Sequence, residues 1–378
     1  MRIQTNTNSS FPSQVVSEAE KSSLDYGIQV GRAIEGEWFQ EGRAGNRYVQ
    51  SYATFHRLRL YARGEQSVQK YKDELSINGD LSYLNLDWKP VAVISKFVDI
   101  VVNGMSNKEY DITTFAQDPF SVKQRTDYAA AVERDINAKE ALVNVKENLG
   151  MDFSLTGNLE DLPESREELD IHMQMSYKQN VEIAEEEVIN NVLASNKYDQ
   201  TKKRIAYDLT VLGIGASKTR FDLSEGIKID YVDPARIVYS YTEDPNFEDI
   251  YYVGEVKAIS IPELKKQFPN IPDEELQRIQ NMPGNSQYVT GWANYDQNTV
   301  QVMYFEYKTY VDQVFKIKKT DQGLEKTLEK PDTFNPPEND NFDRVSRSIE
   351  VLYTGAKVLG NNYMLDWKMA ENMTRPTA

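Results

Sequence analysis

The sequence predicts an α+β protein of more than one domain. Apolar residues recur at helical spacing through most of the first 212 positions, and the pattern changes to two-residue alternation after Gly213 and again after residue 299. A chain of 378 residues with 40% hydrophobic content is also long enough for two or three cores. Shifts in composition divide it into a flexible arm with a weak helix at 1–45, a helical region with β-hairpins at 46–298, and a β-rich segment at 299–378 whose end looks cut rather than finished.

The first fourteen residues, MRIQTNTNSSFPSQ, are polar and aperiodic and read as a mobile arm. A helix is expected from about Ser17 to Phe39, although Gly27, Gly31 and Gly36 each weaken it by roughly 1 kcal/mol relative to Ala. After the break EGRAGN, RYVQSYATFHRLRLYARG forms an amphipathic helix with Val49, Tyr52, Phe55 and Leu58 on one stripe and Gly64 at its end. A second helix, EQSVQKYKDEL, stops before the turn residues Asn78, Gly79 and Asp80. VAVISKFVDIVVNGM follows Pro90, and its face of Val93, Ile94, Phe97, Val98, Val101 and Val102 marks a core helix. KEYDITTFA alternates as a strand. Residues 118–149 read as one long charged helix begun at Asp118-Pro119 and closed by Gly150, and another runs from after Pro163 to about Ala194.

The helix from Asp199 to Leu212 leads into GIGASKT, which nearly matches a phosphate-binding loop. Ser217 stands where that loop needs the glycine before its lysine, and its Cβ disfavours the required backbone. The context is also reversed, because a phosphate loop has a strand before it and a helix after it. Here Ile205, Leu209 and Leu212 put a helix first, and KTRFDLSEGIKIDYVDP then alternates as a hairpin turning at Ser224-Glu225-Gly226. Gly213, Gly215 and Pro234 are therefore turn residues, and no nucleotide or other cofactor is expected. Further on, VDPARIVYS, the acidic loop YTEDPNFED and IYYVGEVKAIS read as strand, loop, strand. IPELKKQFP and IPDEELQRIQNM are short helices, and after the polar stretch 285–298 come strands with a charged, Pro-rich connection.

A net charge of −16, from 59 acidic and 43 basic side chains, argues against an outer surface that wraps nucleic acid. With no cysteine there is neither a disulfide nor a thiolate metal site, and His56 and His172 have no ligand-like spacing. No apolar run approaches membrane-spanning length, and the polar start is unlike a signal peptide, which points to the cytoplasm or a particle assembled there. The 23 tyrosines suit half-wet packing at subunit interfaces. Arg57, Arg59 and Arg63 fit phosphate contact or, as is usual on so acidic a chain, ion pairing. Residues 151–192 hold eleven acidic and two basic side chains, ordinarily a solvated helix face.

Three stretches together resemble portal proteins of tailed bacteriophages, most closely those of the crAss-like gut phages. They are LYARGEQSVQKYKDELSINGDLSYLNLDWKPVAVISKFVDIVVNGMSNKEYDI, DLTVLGIGASKTRFDLSEGIKIDYVDPARIVYSYTEDPNFEDIYYVGEVKAISIPELKKQFP and SIEVLYTGAKVLGNNYMLDWKMAENMTRP. The resemblance implies a helical wing-like region at 46–298 and clip or clip-adjacent strands at 299–378. It further implies a homo-oligomeric ring, a dodecamer, at one capsid vertex of the virion, with no catalytic residues. The implied partners are the terminase motor, the major capsid protein, tail or adaptor proteins and the double-stranded DNA that passes through, with no membrane. In that setting Glu182, Glu185, Glu186 and Glu187 read as an acidic wall facing DNA. Portals continue into a further stem helix and a helical crown, so the chain reads as the N-terminal part of a longer one. Two alternatives stand beside this: another head or tail structural protein, and a packaging ATPase. The latter needs a hydrophobic strand ending in Asp or Asp-Glu to hold Mg²⁺, and no such pair stands out.

Overall fold

The structure, a computed structural model, describes residues 10–39, 46–65, 67–76, 87–89, 91–107, 111–150, 154–155, 163, 165–222, 226–281, 299–319, 325–335 and 342–370. Positions 1–9 of the expected arm, most of the EGRAGN break, the Asn78-Gly79-Asp80 turn, Pro90, Ser224-Glu225 and the stretch 285–298 lie outside these residues. The fold is α+β, with 49% of the described residues helical and 25% in strands.

Ser17 caps the short helix α1 (Glu18–Lys21) by accepting the Glu20 N–H. Next comes α2 (Leu24–Phe39), which is a core helix rather than the weak one its glycines suggest. A Cβ at Gly27 would stand 2.6 Å from the Trp367 ring, and one at Gly31 would stand 2.7 Å from Lys357. The missing side chains let helix and sheet approach, which offsets their helix-propensity cost. Asn46 caps α3 (Arg47–Arg63), and Gly64 ends it at φ +77°. Beyond α4 (Gln69–Leu75), α5 (Val93–Ser106) corrects the expectation of a core helix. Val98 and Val102 are buried, but Val93, Ile94, Phe97, Ile100 and Val101 stay between 47% and 67% exposed. Periodicity records an apolar face, not whether the same chain covers it.

Residues 111–117 form no strand. Two of their amide donors go instead to carboxylates: Thr114 N–H donates to Glu186 and Ala116 N–H to Glu182. The long helix expected at 118–149 is two helices, α6 (Pro119–Asn137) and α7 (Lys139–Leu149), broken at Ala138. Next to the break, the buried Asp135 carboxylate accepts the Leu155 N–H, a tertiary bond that helical periodicity does not register. The helix expected up to Ala194 is likewise two, α8 (Arg166–Met175) and α9 (Asn180–Ser195). Glu182 restarts the second by accepting the Gln179 N–H at 2.9 Å.

After α10 (Tyr198–Leu212), β1 (Ala216–Asp222) and β2 (Gly226–Val232) form a two-stranded hairpin. A 3₁₀ turn at Pro234–Arg236 leads to β3 (Ile237–Tyr239) and β4 (Tyr252–Ser260), then to α11 (Ile261–Gln267) and α12 (Asp273–Gln280). The chain continues through β5 (Thr299–Lys319), β6 (Glu325–Lys330), β7 (Phe342–Val358) and β8 (Met364–Met369). The second sheet is antiparallel in the order β3-β4-β5-β7-β8, with β6 pairing the far end of β5.

Two compact units result. The first draws its described residues from Met1–Ile100, Tyr207–Ala216 and Val232–Ala378, the second from Val101–Ala206 and Ser217–Tyr231. In the first, side chains alternate across β5. Met303, Phe305 and Tyr307 pack with Tyr26, Val30, Ile34 and Trp38 of α2, while Val300 and Val302 pack with Leu264, Leu276 and Ile279 of α11 and α12. At this end the large sheet is thus covered on both faces, while the far end around β6 stays exposed. Lys357, fully buried, pairs with Glu35 across the α2 face, and burial draws its pKa below the usual lysine range. Lys21 fills a gap along the edge of β5. Pairing with β4 ends at Tyr307, pairing with β6 starts at Val314, and between them the buried Lys21 ammonium donates to the Tyr310 carbonyl. The core cluster of the second unit is small, with Val132 and Leu169 buried and Tyr128, Ile136, Leu142 and Met173 packed around them.

Candidate functional site

The glycine run and the Val-Asp-Pro turn were the features that sequence reasoning singled out, and the backbone explains both. Gly213 adopts φ +79°, and its N–H donates to Leu209 O at 3.1 Å, closing α10. Gly215 lies outside the left-handed region, and β1 begins at the next residue. The run therefore sits at a helix C-terminus, where the dipole is negative and repels phosphate, and a strand follows it. Lys218, the lysine of the near-match, is part of that strand.

Asp233, just before the buried Pro234, caps the 3₁₀ turn by accepting the Ala235 N–H at 3.0 Å. Both of its carboxylate oxygens also accept from the Arg59 guanidinium, at 2.8 and 3.1 Å. The same Arg59 donates to Asp208, 2% exposed, at 2.9 Å. One fork on α3 thus ties the end of α10 to the turn that starts the large sheet. Burial opposes the charge on both partners, but the paired hydrogen bonds win: the Arg59 pKa is raised and Asp233 is held below the usual carboxylate range. Arg57 and Arg63, the other members of the basic cluster, are exposed and make no ion pair among the described residues. Sequence reasoning missed Asp208 and Asp233 as partners. The signal for Asp233 was an Asp ahead of a Pro in a turn; for Asp208 there was none.

Within the second unit, the hairpin is held by Asn196, which donates to Ile227 O at 2.8 Å and accepts the Ile229 N–H at 3.1 Å. The Arg204 guanidinium lies over the Tyr231 ring at 3.8 Å, and Arg220 pairs with Asp230 at 2.8 Å. The four carboxylates of α9 do not share one surface. Glu182 is buried, and Arg125 stands 3.9 Å from it. Glu186 faces Lys178 at 2.8 Å, and the bonds from Lys178 and the Thr114 N–H hold its carboxyl below the usual range. Glu185 and Glu187 are exposed. His56 is exposed, and His172 lies 3.4 Å from the Tyr128 hydroxyl. Among the described residues no cluster of three or more His, Cys, Asp or Glu could hold a metal ion, and no helix is long and apolar enough to cross a membrane. The chemistry on view is that of ion pairs and caps, which hold segments in place.

Residues 181–364 match a family model described as Phage P22-like portal protein. The matched span takes in α9, the Gly213 turn, the hairpin, Asp233 and the whole of β5 and β7. The match supports a phage portal protein, a structural and non-enzymatic class. A search of the curated proteins found no match.

Proposed function

We propose that the chain belongs to a portal protein that closes into a ring at one capsid vertex, where it serves as the conduit for double-stranded DNA during packaging and ejection. The ring, twelve-membered by the resemblance, would dock the terminase motor on one side and tail or adaptor proteins on the other, with the major capsid protein around it. The observation that carries this reading is the portal match over residues 181–364. It contains one of the three segments that resemble portals in the sequence, 208–269, and overlaps the first part of another, 348–376; that resemblance is also the only support for closeness to the crAss-like subgroup.

Features of the fold support assembly. The second unit has a small core and leaves Phe120, Met175, Val181, Ile183 and Val188 more than half exposed. Such side chains are available to a neighbouring subunit, and a head-to-tail contact repeated by rotation closes into a ring. In this reading residues 46–298 carry the wing-like region and 299–378 the clip or clip-adjacent strands. The acidic wall falls to Glu185 and Glu187, the two exposed carboxylates of the four. A chain of net charge −16 lets DNA pass without lodging.

Gold-labelled antibody against the protein, applied to intact particles, tests the role. Label at a single vertex is expected, together with DNA-free heads when the protein is withheld. Label spread over the shell or along the tail would assign the chain to another head or tail component.

A further inference from the structure

The far end of β5, with β6 on one side and β7 on the other, forms a three-stranded sheet whose register fixes which side chains share a face. Residues directly opposite in antiparallel strands lie on the same side, and alternate residues along a strand do too. Lys316 is thus flanked by Leu328 and Arg344, Lys318 by Lys326 and Phe342, and Val314 by Lys330 and Ser346. Five cations stand on one face within a patch three strands wide and five residues long, and no acid is interleaved with them. The opposite face is mixed, with Glu329 and Asp343 among Phe315, Ile317, Thr327 and Val345.

The cations are not consumed by the fold. Among the described residues none of the five pairs with a carboxylate, and Arg344 donates only to a backbone carbonyl, Asp332 O, at 3.1 Å. Two aromatic rings face the ammonium groups: the Lys316 nitrogen stands 3.7 Å from the Phe342 ring centre, Lys318 approaches the same ring at 6.0 Å, and both Lys316 and Lys330 approach Phe334. Lys318 and Lys326 are direct cross-strand neighbours, a like-charge pairing that destabilises a sheet. A local rule broken with only the Phe342 ring near Lys318 and no carboxylate paired with either lysine among the described residues, on a chain of net charge −16, points to a functional surface. Toward the rest of the sheet the same face turns acidic at Asp312, which bounds the patch.

We propose that this β5–β6–β7 face is where the chain touches duplex DNA, through sequence-independent contacts to phosphate. The choice of duplex over another polyanion rests on the conduit reading above. The composition agrees with it. Four of the five cations are lysines, which act as point charges without the fixed fork that arginine brings to a specific carboxylate, so a phosphate backbone can move past without register. A face only a few residues across is too small to grip, as transit requires.

The test is titration of the full-length protein with a labelled duplex of about 30 base pairs, in two unrelated sequences, between about 50 and 200 mM salt. The triple variant K318Q/K326Q/R344Q alters three exposed side chains, and K123Q/K146Q/K203Q removes the same charge elsewhere. The expected result is equal affinity for the two sequences and a salt slope about 3 units shallower in the first variant, with at least tenfold weaker binding at low salt. The second variant should keep the wild-type slope. Unchanged binding in K318Q/K326Q/R344Q overturns the proposal. So does tighter binding of labelled polyglutamate than of DNA to the wild type, which would assign the face to an acidic protein. Particle mass measured on the same samples separates the two claims. Rings whose DNA binding ignores the variant leave the portal reading standing and remove this one, whereas variant-sensitive binding by a species that never forms rings does the reverse.

Discussion

Arg59 holds two carboxylates that reach it from different parts of the chain, and one of them, Asp208, is 2% exposed. Removing a cation from a buried pair costs about 3–5 kcal/mol, while an exposed charge costs within about 0.5 kcal/mol. Arg59→Met should therefore lower the thermal midpoint sharply, and Arg57→Met should leave it almost unmoved. Asp233 adds a pH dependence with a definite sign. Its folded pKa is depressed, so its contribution is complete above the ordinary aspartate value of about 3.9 and is lost as pH falls through the lower folded value. Urea midpoints followed from pH 6 downward should fall more steeply below about pH 4 in the wild type than in Asp233→Asn. At this scale the sequence reveals what is local. Gly213 was legible as a helix end because a left-handed residue answers to its neighbours alone. Arg59 was legible as an ion-pairing residue but not its partners, which lie 149 and 174 positions away.

Two glycines on two helices carry opposite predictions. Helix propensity alone says that Gly→Ala stabilises by about 0.5–1 kcal/mol. Gly104, on α5, has nothing within 4 Å of a built Cβ, so Gly104→Ala should show that gain. Gly27→Ala should lose about 1–3 kcal/mol instead, because its methyl would meet the Trp367 ring. Thermal melts of the two variants side by side check the pair, and a stabilised Gly27→Ala would mean that α2 does not pack as described. Most helices were legible from their apolar spacing, but their breaks were not. The spacing runs unbroken through Ala138 and through residues 176–179, and the interruptions come with carboxylates that accept backbone donors: Asp135 from Leu155 and Glu182 from Gln179. The same exchange took 111–117 out of the strand class, since alternation alone cannot distinguish a ladder partner from a pair of glutamates.

For the molecule as a whole, the α+β class and the acidic balance followed from composition and period, and the portal resemblance followed from whole segments. The basic sheet face did not. Lys316 and Lys318 share a side by alternation, but Lys326, Lys330 and Arg344 join them only through two hairpin registers that the sequence leaves open. The exposed face of α5 was hidden in the same way, since an apolar stripe reads alike whether this chain or another covers it. The proposal gives both features something outside this chain to meet, and assembly into a ring is its central claim. It is tested most directly by electron microscopy of the purified full-length protein, with particle mass measured on the same preparation. Closed rings with a central hole wide enough for a duplex are predicted, and a monomer that persists at high protein concentration would contradict the account.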